Sequence, residues 1–463
     1  HLVRSMSISP TFTRDQTVLA STYGSSMIRT QNGGASWDIL ATGLVNGYPD
    51  PTSLAPDFGV RPLSFIGTVW GPHKSTNGGD TWALIEPLDT PMFARAVAIS
   101  PNYDQDYTVA IGVDNAETGH PPTVLYNGQP VSTYGVFMSR SAGLNWTPTQ
   151  VNGIGIHSVA FSPNYADDQT MFAASLYNEG LHKSTDEGLT WQTLSNTIPT
   201  DCCLSRVLLS PQYAIDQTLF VIRATGPVEP RGLYKSTDGG ATWTRTAGSE
   251  SSTLLDFALS PNYATDSTLF LATLERGLLK STDGGATLEP TGFDGAYVTA
   301  LEISPDFTSD QTLFLASYLG IFKSQDAGDS WTFIPQAKRR IEELAPNLVK
   351  SNNWQWLPFP GVSSGRVLTT EAVGGFIDFE FAGTGVTALG IKGPQYGILD
   401  VYLDGTQVAT VDLNAPETLL QEPFYEITGL PFGAHTLRLV NVSNPTPEGQ
   451  ARRVAIDAYD VWR

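Results

Sequence analysis

Short apolar segments recur through most of the chain in one fixed arrangement. In one copy, an apolar strand ends at Ser260-Pro261, a polar turn and a second apolar strand follow, and a third strand leads to Ser281-Thr282-Asp283-Gly284-Gly285. The proline that closes the first strand recurs roughly every 45 residues, as expected for a four-stranded blade. Its seven copies are Pro10, Pro56, Pro101, Pro163, Pro211, Pro261 and Pro305. The pattern predicts a seven-bladed β-propeller over residues 1–335.

The turn between the third and fourth strands carries a second signature, complete in Ser236-Thr237-Asp238-Gly239-Gly240-Ala241-Thr242-Trp243. The Asp238 carboxylate can accept backbone N–H groups of the turn, Gly240 permits a positive φ, and Trp243 can pack between blades. The motif resembles the Asp box of BNR, sialidase-like and sortilin-like propellers. Because it recurs around the ring, we interpret it as structural, and the residues assigned to this role are Asp186, Asp238, Asp283, Asp326, Trp37, Trp82, Trp146, Trp191, Trp243 and Trp331.

Another aspartate recurs one or two residues before the second strand of most units. Its short side chain suits the capping of a turn better than the binding of calcium. We therefore expect turn-capping roles for Asp15, Asp106, Asp168, Asp216, Asp266 and Asp310.

The pattern changes after the last repeat. Residues 336–352 are charged and are interpreted as a linker, with room for one short helix. From residue 353 to 463, alternation such as Ile377, Phe379 and Phe381 predicts further strands, including one that enters a turn at Asp404-Gly405. This segment resembles a galactose-binding-like jelly roll, which implies a β-sandwich that attaches to sugars. Its ligand face or core would include Trp356, Tyr396, Tyr402 and Asp404.

The composition limits the classes of molecule that the chain can bind. The formal charge is −20, which opposes binding to nucleic acid or anionic lipid, and no apolar run is long enough to span a bilayer. Cysteine occurs only as the adjacent pair Cys202 and Cys203, which is either reduced or joined as a strained disulfide. This scarcity favours an extracellular or cell-surface protein. The start at His1 rather than Met favours a processed or trimmed chain.

The candidate functional residues lie just before the recurring proline. The family resemblance implies that the starts of the first strands and the loops between the second and third strands share one face. The positions five or six residues before the proline are Arg4, Asp50, Arg95, His157, Arg206 and Asp256, and the loops of that face add Tyr23, Trp70, Tyr134, Tyr177, Tyr318, Asp114, Glu117, Glu179 and Glu275. From these, the predicted ligand-binding residues are Arg4, Arg95, Arg206, His157, Tyr23, Trp70, Tyr134 and Tyr318.

Three interpretations of this face remain open. The arginines can pair with carboxylates of neighbouring blades, bind an anion or glycan, or take part in catalysis. No catalytic residue is assigned. For an enzyme, the candidates are Asp256 with Glu302 as a carboxyl pair, or Tyr177 with Glu179 by resemblance to sialidases. No metal pattern and no cofactor motif is present, although Asp412 and Asp457 are candidates for a structural calcium site.

The main functional prediction is a non-catalytic extracellular protein. The propeller would be a scaffold that binds a glycan or protein, or assembles with other copies, and the sandwich would attach it to sugar. The alternative is a secreted glycoside hydrolase, sialidase-like or endo-glucanase-like, with an accessory carbohydrate-binding module. Two further hypotheses are a chaperone like those that assist photosystem assembly and a subunit of a surface sheath or filament.

Overall fold

The computed structural model describes residues 3–22, 26–40, 44, 50–85, 92–114, 123–175, 180–194, 204–223, 231–293, 297–334, 339–342, 348–359, 362, 366–443 and 452–462. The chain divides into two compact units, His1–Ile334 and Pro335–Arg463. Both are built from β-strands. The first unit contains seven separate four-stranded antiparallel sheets, so the predicted seven-bladed propeller is confirmed.

Blades 1 to 3 each contain four strands, and blade 3 adds a hairpin between its second and third strands. Strands are given from the innermost outward. Blade 1 contains β1 (Val3–Ile8), β2 (Val18–Thr22), β3 (Ser26–Thr30) and β4 (Asp38–Leu40); blade 2 contains β5 (Asp50–Leu54), β6 (Ser64–Thr68), β7 (Gly71–Ser75) and β8 (Ala83–Leu84); blade 3 contains β9 (Ala94–Ile99), β10 (Val109–Val113), β13 (Gly135–Ser139) and β14 (Thr147–Asn152), with the added hairpin β11 (Thr123–Tyr126) and β12 (Gln129–Ser132).

The remaining blades follow the same order. Blade 4 contains β15 (Ile156–Phe161), β16 (Met171–Ser175), β17 (Leu181–Ser184) and β18 (Gln192–Thr193); blade 5 contains β19 (Leu204–Leu209), β20 (Leu219–Arg223), β21 (Gly232–Ser236) and β22 (Thr244–Arg245); blade 6 contains β23 (Leu254–Leu259), β24 (Leu269–Thr273), β25 (Leu278–Ser281) and β26 (Glu289–Pro290); blade 7 contains β27 (Val298–Ile303), β28 (Leu313–Ser317), β29 (Gly320–Ser324) and β30 (Thr332–Ile334). The innermost strands of blades 7 and 1 contact each other, so the ring is closed.

A four-residue helix follows the innermost strand in every blade except blade 2. The helices are α1 (Phe12–Asp15), α2 (Tyr103–Asp106), α3 (Tyr165–Asp168), α4 (Tyr213–Asp216), α5 (Tyr263–Asp266) and α6 (Phe307–Asp310), and a 3-10 turn spans Ser249–Ser251. In each helical turn the predicted aspartate accepts the hydroxyl of the serine before the proline. In blade 4, for example, Ser162 Oγ donates to Asp168 Oδ2 at 2.5 Å, and Thr170 N donates to Oδ1 at 2.9 Å. The turn-capping role of these aspartates is confirmed.

The turn after the third strand is closed by its own aspartate. Asp238 accepts the backbone N–H of Thr242 at 2.9 Å and the hydroxyls of Thr242 and Ser236 at 2.5 and 2.7 Å. These bonds hold the pKa of Asp238 down at about 2. Trp243 Nε1 donates to the carbonyl of Gly240, whose φ is +97°. Asp186, Asp283 and Asp326 make equivalent bonds, so these side chains stabilise turns.

A cation from each blade reaches the same turn of the next blade. Lys235 Nζ of blade 5 donates to the carbonyl of Gly284 in blade 6 at 2.8 Å, and it lies over the rings of Phe220 and Tyr263. The full set of donor and acceptor residues, in chain order, is Arg29 to Gly78, Lys74 to Ala142, Arg140 to Glu187, Lys183 to Gly239, Lys235 to Gly284, Lys280 to Ala327 and Lys323 to Gly33. These seven bonds form a complete circle, and the sequence interpretation missed them.

The second unit is a single curled sheet. Its strands are β31 (Arg339–Glu342), β32 (Leu348–Lys350), β33 (Gln355–Pro358), β34 (Arg366–Thr370), β35 (Phe376–Lys392), β36 (Ile398–Leu403), β37 (Thr406–Asp412), β38 (Leu419–Asn441) and β39 (Val454–Trp462). The order is β33-β34-β39-β35-β38-β36-β37, with β31 paired to β39 and β32 paired to β35. The long strand β35 pairs with β32 near its start and with β39 near its end, which lets the sheet curl over one core.

The core of this sheet is aromatic at its centre, where Phe379 stacks on Tyr459 with ring centroids 4.1 Å apart. The predicted alternation is present, because Ile377, Phe379 and Phe381 are all buried. The linker prediction needs correction, since residues 336–352 contribute β31 and β32 to the sheet and contain no helix in their described part. The charged composition of this segment had hidden the pairing from the sequence interpretation.

Candidate functional site

The innermost strands of all seven blades enclose an axial cavity of about 620 Å³. The register explains which residues face it from one end. Val3 at the start of β1 pairs with Thr22 at the end of β2, and Val18 at the start of β2 pairs with Thr30 at the end of β3. The starts of the innermost strands therefore lie at the edge opposite the helical turns and the aspartate turns.

The structure brings most of the predicted strand-start residues together. Five of them line the cavity, namely Arg4, Arg95, His157, Arg206 and Asp256, and Glu302, from near the end of its strand, lines it as well. The aromatic candidates Trp70, Tyr134 and Tyr318 are outside this lining, and Tyr318 packs edge to face against Tyr297 at 5.5 Å. The candidates Tyr23, Tyr177, Glu179, Glu117, Cys202 and Cys203 lie outside the described residues, as does the side chain of Asp50.

Asp256 is held by three donors. Its Oδ1 accepts Arg206 Nη1 and the backbone N–H of Phe257, and its Oδ2 accepts the N–H of Leu301 at 3.0 Å. Burial raises the pKa of this carboxyl, while Arg206 and the two N–H groups act in the opposite direction. Because both oxygens face donors, the hydrogen-bond pattern is that of a carboxylate.

The bond from Asp256 to Leu301 repeats a link between blades. Five residues before the proline of blade 4, Ser158 Oγ accepts the N–H of Val207 in blade 5 at 3.1 Å; Ser5 Oγ accepts Thr52 N in the same way. Asp256 occupies the equivalent position in blade 6 and accepts from blade 7. Innermost strands of neighbouring blades are not paired as a sheet, so side chains supply these links. Asp256 therefore has a structural role.

Glu302 lies deeper in the same cavity. Its side chain is partly accessible through the cavity, but it is surrounded by protein, and this desolvation raises the pKa of its carboxyl to about 8. Arg206 and the N–H of Ile8 oppose the rise, and the charge of Asp256 adds to it. At neutral pH, Glu302 is mostly protonated and can donate a proton.

The other cavity residues are also anchored. His157 Nε2 lies 2.8 Å from Oδ2 of the buried Asp114, so the imidazole is oriented by a carboxylate. The Arg95 guanidinium lies 3.8 Å from the centroid of the Phe93 ring. Arg4, Arg95 and Arg206 outnumber the two lining carboxyls among the described residues, one of which is protonated. Among the described lining residues, basic groups therefore outnumber acidic ones, although the chain has a net charge of −20.

The candidates in the second unit are mostly part of its core or turns. Trp356 and Tyr396 pack against the aromatic core. Asp404 accepts the N–H of Thr436 at 2.8 Å and lies 2.7 Å from His435 Nδ1. With Gly405, also at positive φ, it forms the predicted turn.

Metal and membrane features can be stated for the described residues. No group of three or more His, Cys, Asp or Glu side chains in these ranges is arranged to hold a metal ion. The side chain of Asp412 accepts the N–H of Asn414 instead. None of the helices in the described part of the chain has the length and apolar character needed to cross a membrane.

Comparisons with known proteins give local sequence matches. No family model matches the chain. The A type blood N-acetyl-alpha-D-galactosamine deacetylase of Flavonifractor plautii is 28% identical over 103 residues, and the A type blood alpha-D-galactosamine galactosaminidase of the same organism is 32% identical over 101 residues. Each match covers 22% of this chain, but only 13% and 9% of those proteins.

Solved structures share the fold more widely. The GH74 xyloglucanase from Xanthomonas campestris superposes with a TM-score of 0.56 and 15% identity, covering 81% of this chain and 58% of that one. A GH74 enzyme from Niastella koreensis gives 0.52 and 17%, covering 80% and 57%. At these identities the likeness establishes the fold. The chain spans less than two thirds of the length of each of these relatives.

Proposed function

We propose that this chain is an extracellular carbohydrate-active protein of the glycoside hydrolase type, and that its axial cavity receives a sugar that carries a negative charge. The observation that carries the proposal is the combination of three guanidinium groups with a protonated carboxyl in one cavity. Guanidinium groups bind carboxylates with two parallel hydrogen bonds, and a protonated carboxylic acid can protonate a glycosidic oxygen. The fold shared with GH74 enzymes and the local matches to the two carbohydrate enzymes support this direction.

In this proposal Arg4, Arg95 and Arg206 hold the anionic group, and Glu302 is the proton donor. Hydrolysis of a glycoside ordinarily needs a second carboxylate. Asp256 is the other lining carboxyl, and its link to Leu301 keeps it in place.

That link favours a second candidate function, the non-catalytic binding of an acidic glycan. A carboxylate committed to Arg206 and two backbone N–H groups is a poor nucleophile or base, because its lone pairs are already occupied. The cavity would then recognise the sugar without cleaving it. The propeller would then serve as a binding scaffold, like other Asp-box propellers that it resembles, and the second unit would serve as the attachment module.

One experiment separates the two functions. The full chain is incubated with a sialylated oligosaccharide, polygalacturonan, glucuronoxylan and neutral xyloglucan, and reducing ends and binding heat are measured. A hydrolase releases reducing ends, and Glu302→Gln lowers that rate at least about 100-fold. The matched control is Glu289→Gln, the same change on the exposed outer strand of blade 6.

The outcomes differ clearly. Binding without release, weakened by Arg206→Met and unchanged by Glu289→Gln, supports the non-catalytic function. Neither release nor binding of any acidic glycan would refute the proposal for the axial cavity.

A further inference from the structure

A second cavity, of about 400 Å³, lies between blades 2 and 3 on the face of the helical turns. This is the face opposite the starts of the innermost strands. Its floor and walls include Leu63 and Tyr103, and its rim carries Asp57, Arg61 and Tyr107. It shares no lining residue with the axial cavity.

Blade 2 departs from the repeat at this cavity. In the other six blades, a four-residue helix closed by a serine and an aspartate fills the turn after the first strand. Blade 2 has Ala55 where the serine stands, and its turn contains no helix. Asp57 instead pairs with Arg61 four residues later. The cleft lies between this turn and α2 of blade 3.

Tyr107 occupies a position with left-handed backbone, where a tyrosine is energetically unfavourable. The residue after each helix has left-handed backbone, and the other five are Gln16, Gln169, Gln217, Ser267 and Gln311. Two of these glutamines close their own turn, since Gln16 and Gln217 donate to the carbonyls of Phe12 and Tyr213 at 3.0 Å. A tyrosine cannot make that bond, and a bulky residue is strained at a φ of +51°.

The exposed surface of the cleft carries aromatic and hydrogen-bonding side chains of the kinds that bind sugars. Tyr107 is 46% exposed and is supported from behind by Tyr103, with ring centroids 6.0 Å apart and planes nearly perpendicular. Val60 is 75% exposed on the opposite wall. Aromatic faces stack on the C–H faces of pyranose rings, and the paired Asp57 and Arg61 can exchange hydrogen bonds with hydroxyl groups.

Charge selects a neutral ligand. Asp57 and Arg61 neutralise each other at the rim, and Asp104 and Asp106 lie on the adjoining helix. With a net charge of −20 over the chain, an anionic polymer would be repelled from this face, whereas three arginines line the axial cavity.

We propose that the cleft between blades 2 and 3 is a secondary carbohydrate-binding site, in which Tyr107 stacks on one pyranose ring of a neutral polysaccharide and Asp57 and Arg61 bond its hydroxyl groups. The inference rests on the proposed carbohydrate function, but it requires no catalysis. The site binds a polysaccharide segment on the face away from the axial cavity.

The test is affinity electrophoresis of the full chain in native gels that contain xyloglucan, galactomannan or mixed-linkage β-glucan. Tyr107→Gln installs the residue found in four other blades, so it is expected to fold and to gain thermal stability. We expect it to weaken retardation by at least one of these polymers about tenfold. The control Ile215→Gln removes an exposed apolar side chain from the equivalent helix of blade 5 and leaves retardation unchanged.

Two results would overturn the proposal: no retardation of the parent chain in any of the three gels, or equal retardation of parent and Tyr107→Gln in all of them. Glu302→Gln keeps its retardation in the neutral gels even where it loses hydrolysis. Failure of the axial-cavity function and failure of this site are therefore distinguishable.

Discussion

Replacement of Glu302 by glutamine should change how the stability of the propeller depends on pH. The folded protein keeps the proton on Glu302 up to a pKa of about 8, whereas the unfolded chain releases it near the ordinary value of 4.5. Between these values the folded state holds one more proton than the unfolded state. The free energy of unfolding therefore falls as pH rises through this window and levels off above pH 8.

The magnitude follows from the width of the window. A span of 8 − 4.5 = 3.5 pH units at about 1.4 kcal/mol per unit sets an upper limit of about 5 kcal/mol. Because the cavity admits water, we expect about 2–3 kcal/mol. Glutamine has nearly the same shape and does not titrate, so Glu302→Gln loses this pH dependence.

The assay is urea unfolding of parent and Glu302→Gln proteins from pH 5 to 9, followed by tryptophan fluorescence. The stability of the variant relative to the parent should increase steadily from pH 5 to 8 and then stay constant. Glu289→Gln, on an exposed outer strand, should show no such trend. A difference between the Glu302→Gln and parent proteins that is the same at every pH would refute the argument that the axial cavity desolvates this carboxyl.

Three further predictions concern the scaffold. Asp256→Asn should lower the free energy of unfolding at pH 7 by about 2–4 kcal/mol, because Arg206 loses its carboxylate partner. A loss of stability smaller than that of Glu289→Gln, measured by calorimetry, would contradict the link between blades. Lys235→Met should lower the free energy of unfolding by about 1–2 kcal/mol in chemical unfolding, because it removes the hydrogen bond to Gly284. Methionine keeps the apolar stem, and Met138 stands at the same position in blade 3. An unchanged unfolding midpoint would count against the circle of inter-blade bonds. Burial lowers the pKa of His182 to about 4, so between pH 4 and 6.5 the unfolded state binds one more proton than the folded state, and stability falls as the pH drops through that window. His182→Leu should reduce this loss of stability in acid by at most about 3 kcal/mol. If the melting temperatures of parent and variant change equally between pH 7.5 and pH 5, the prediction is wrong.

Much of the propeller follows from local chemistry. The Ser-Pro turns, the capping aspartates and the Asp-Gly turns are closed by groups within a few residues of each other, so their spacing in the sequence predicts both the turns and the number of blades. The strand-start positions that line the axial cavity were predictable for the same reason. Once the blades are counted, the equivalent starts of the innermost strands must gather around the axis.

The second unit was less predictable because its strands pair across long separations. Nothing near Arg339–Glu342 indicates that this segment pairs with Val454–Trp462, more than a hundred residues away. The jelly-roll resemblance described the alternation, but not the curled sheet to which β31 and β32 belong.

The sequence by itself determined the repeat, the blade count and the residues that gather at the axis, since these depend on periodicity and on short-range hydrogen bonds. Only the tertiary structure decided what those residues do. Asp256 and Glu302 are both carboxyls on innermost strands, yet one accepts three hydrogen bonds and the other is desolvated to a pKa of about 8. The cleft beside Tyr107 likewise lies where two blades meet, between α2 and a turn of blade 2 that contains no helix. Protonation state and accessible surface depend on every neighbour in space, and most of those neighbours are distant along the chain.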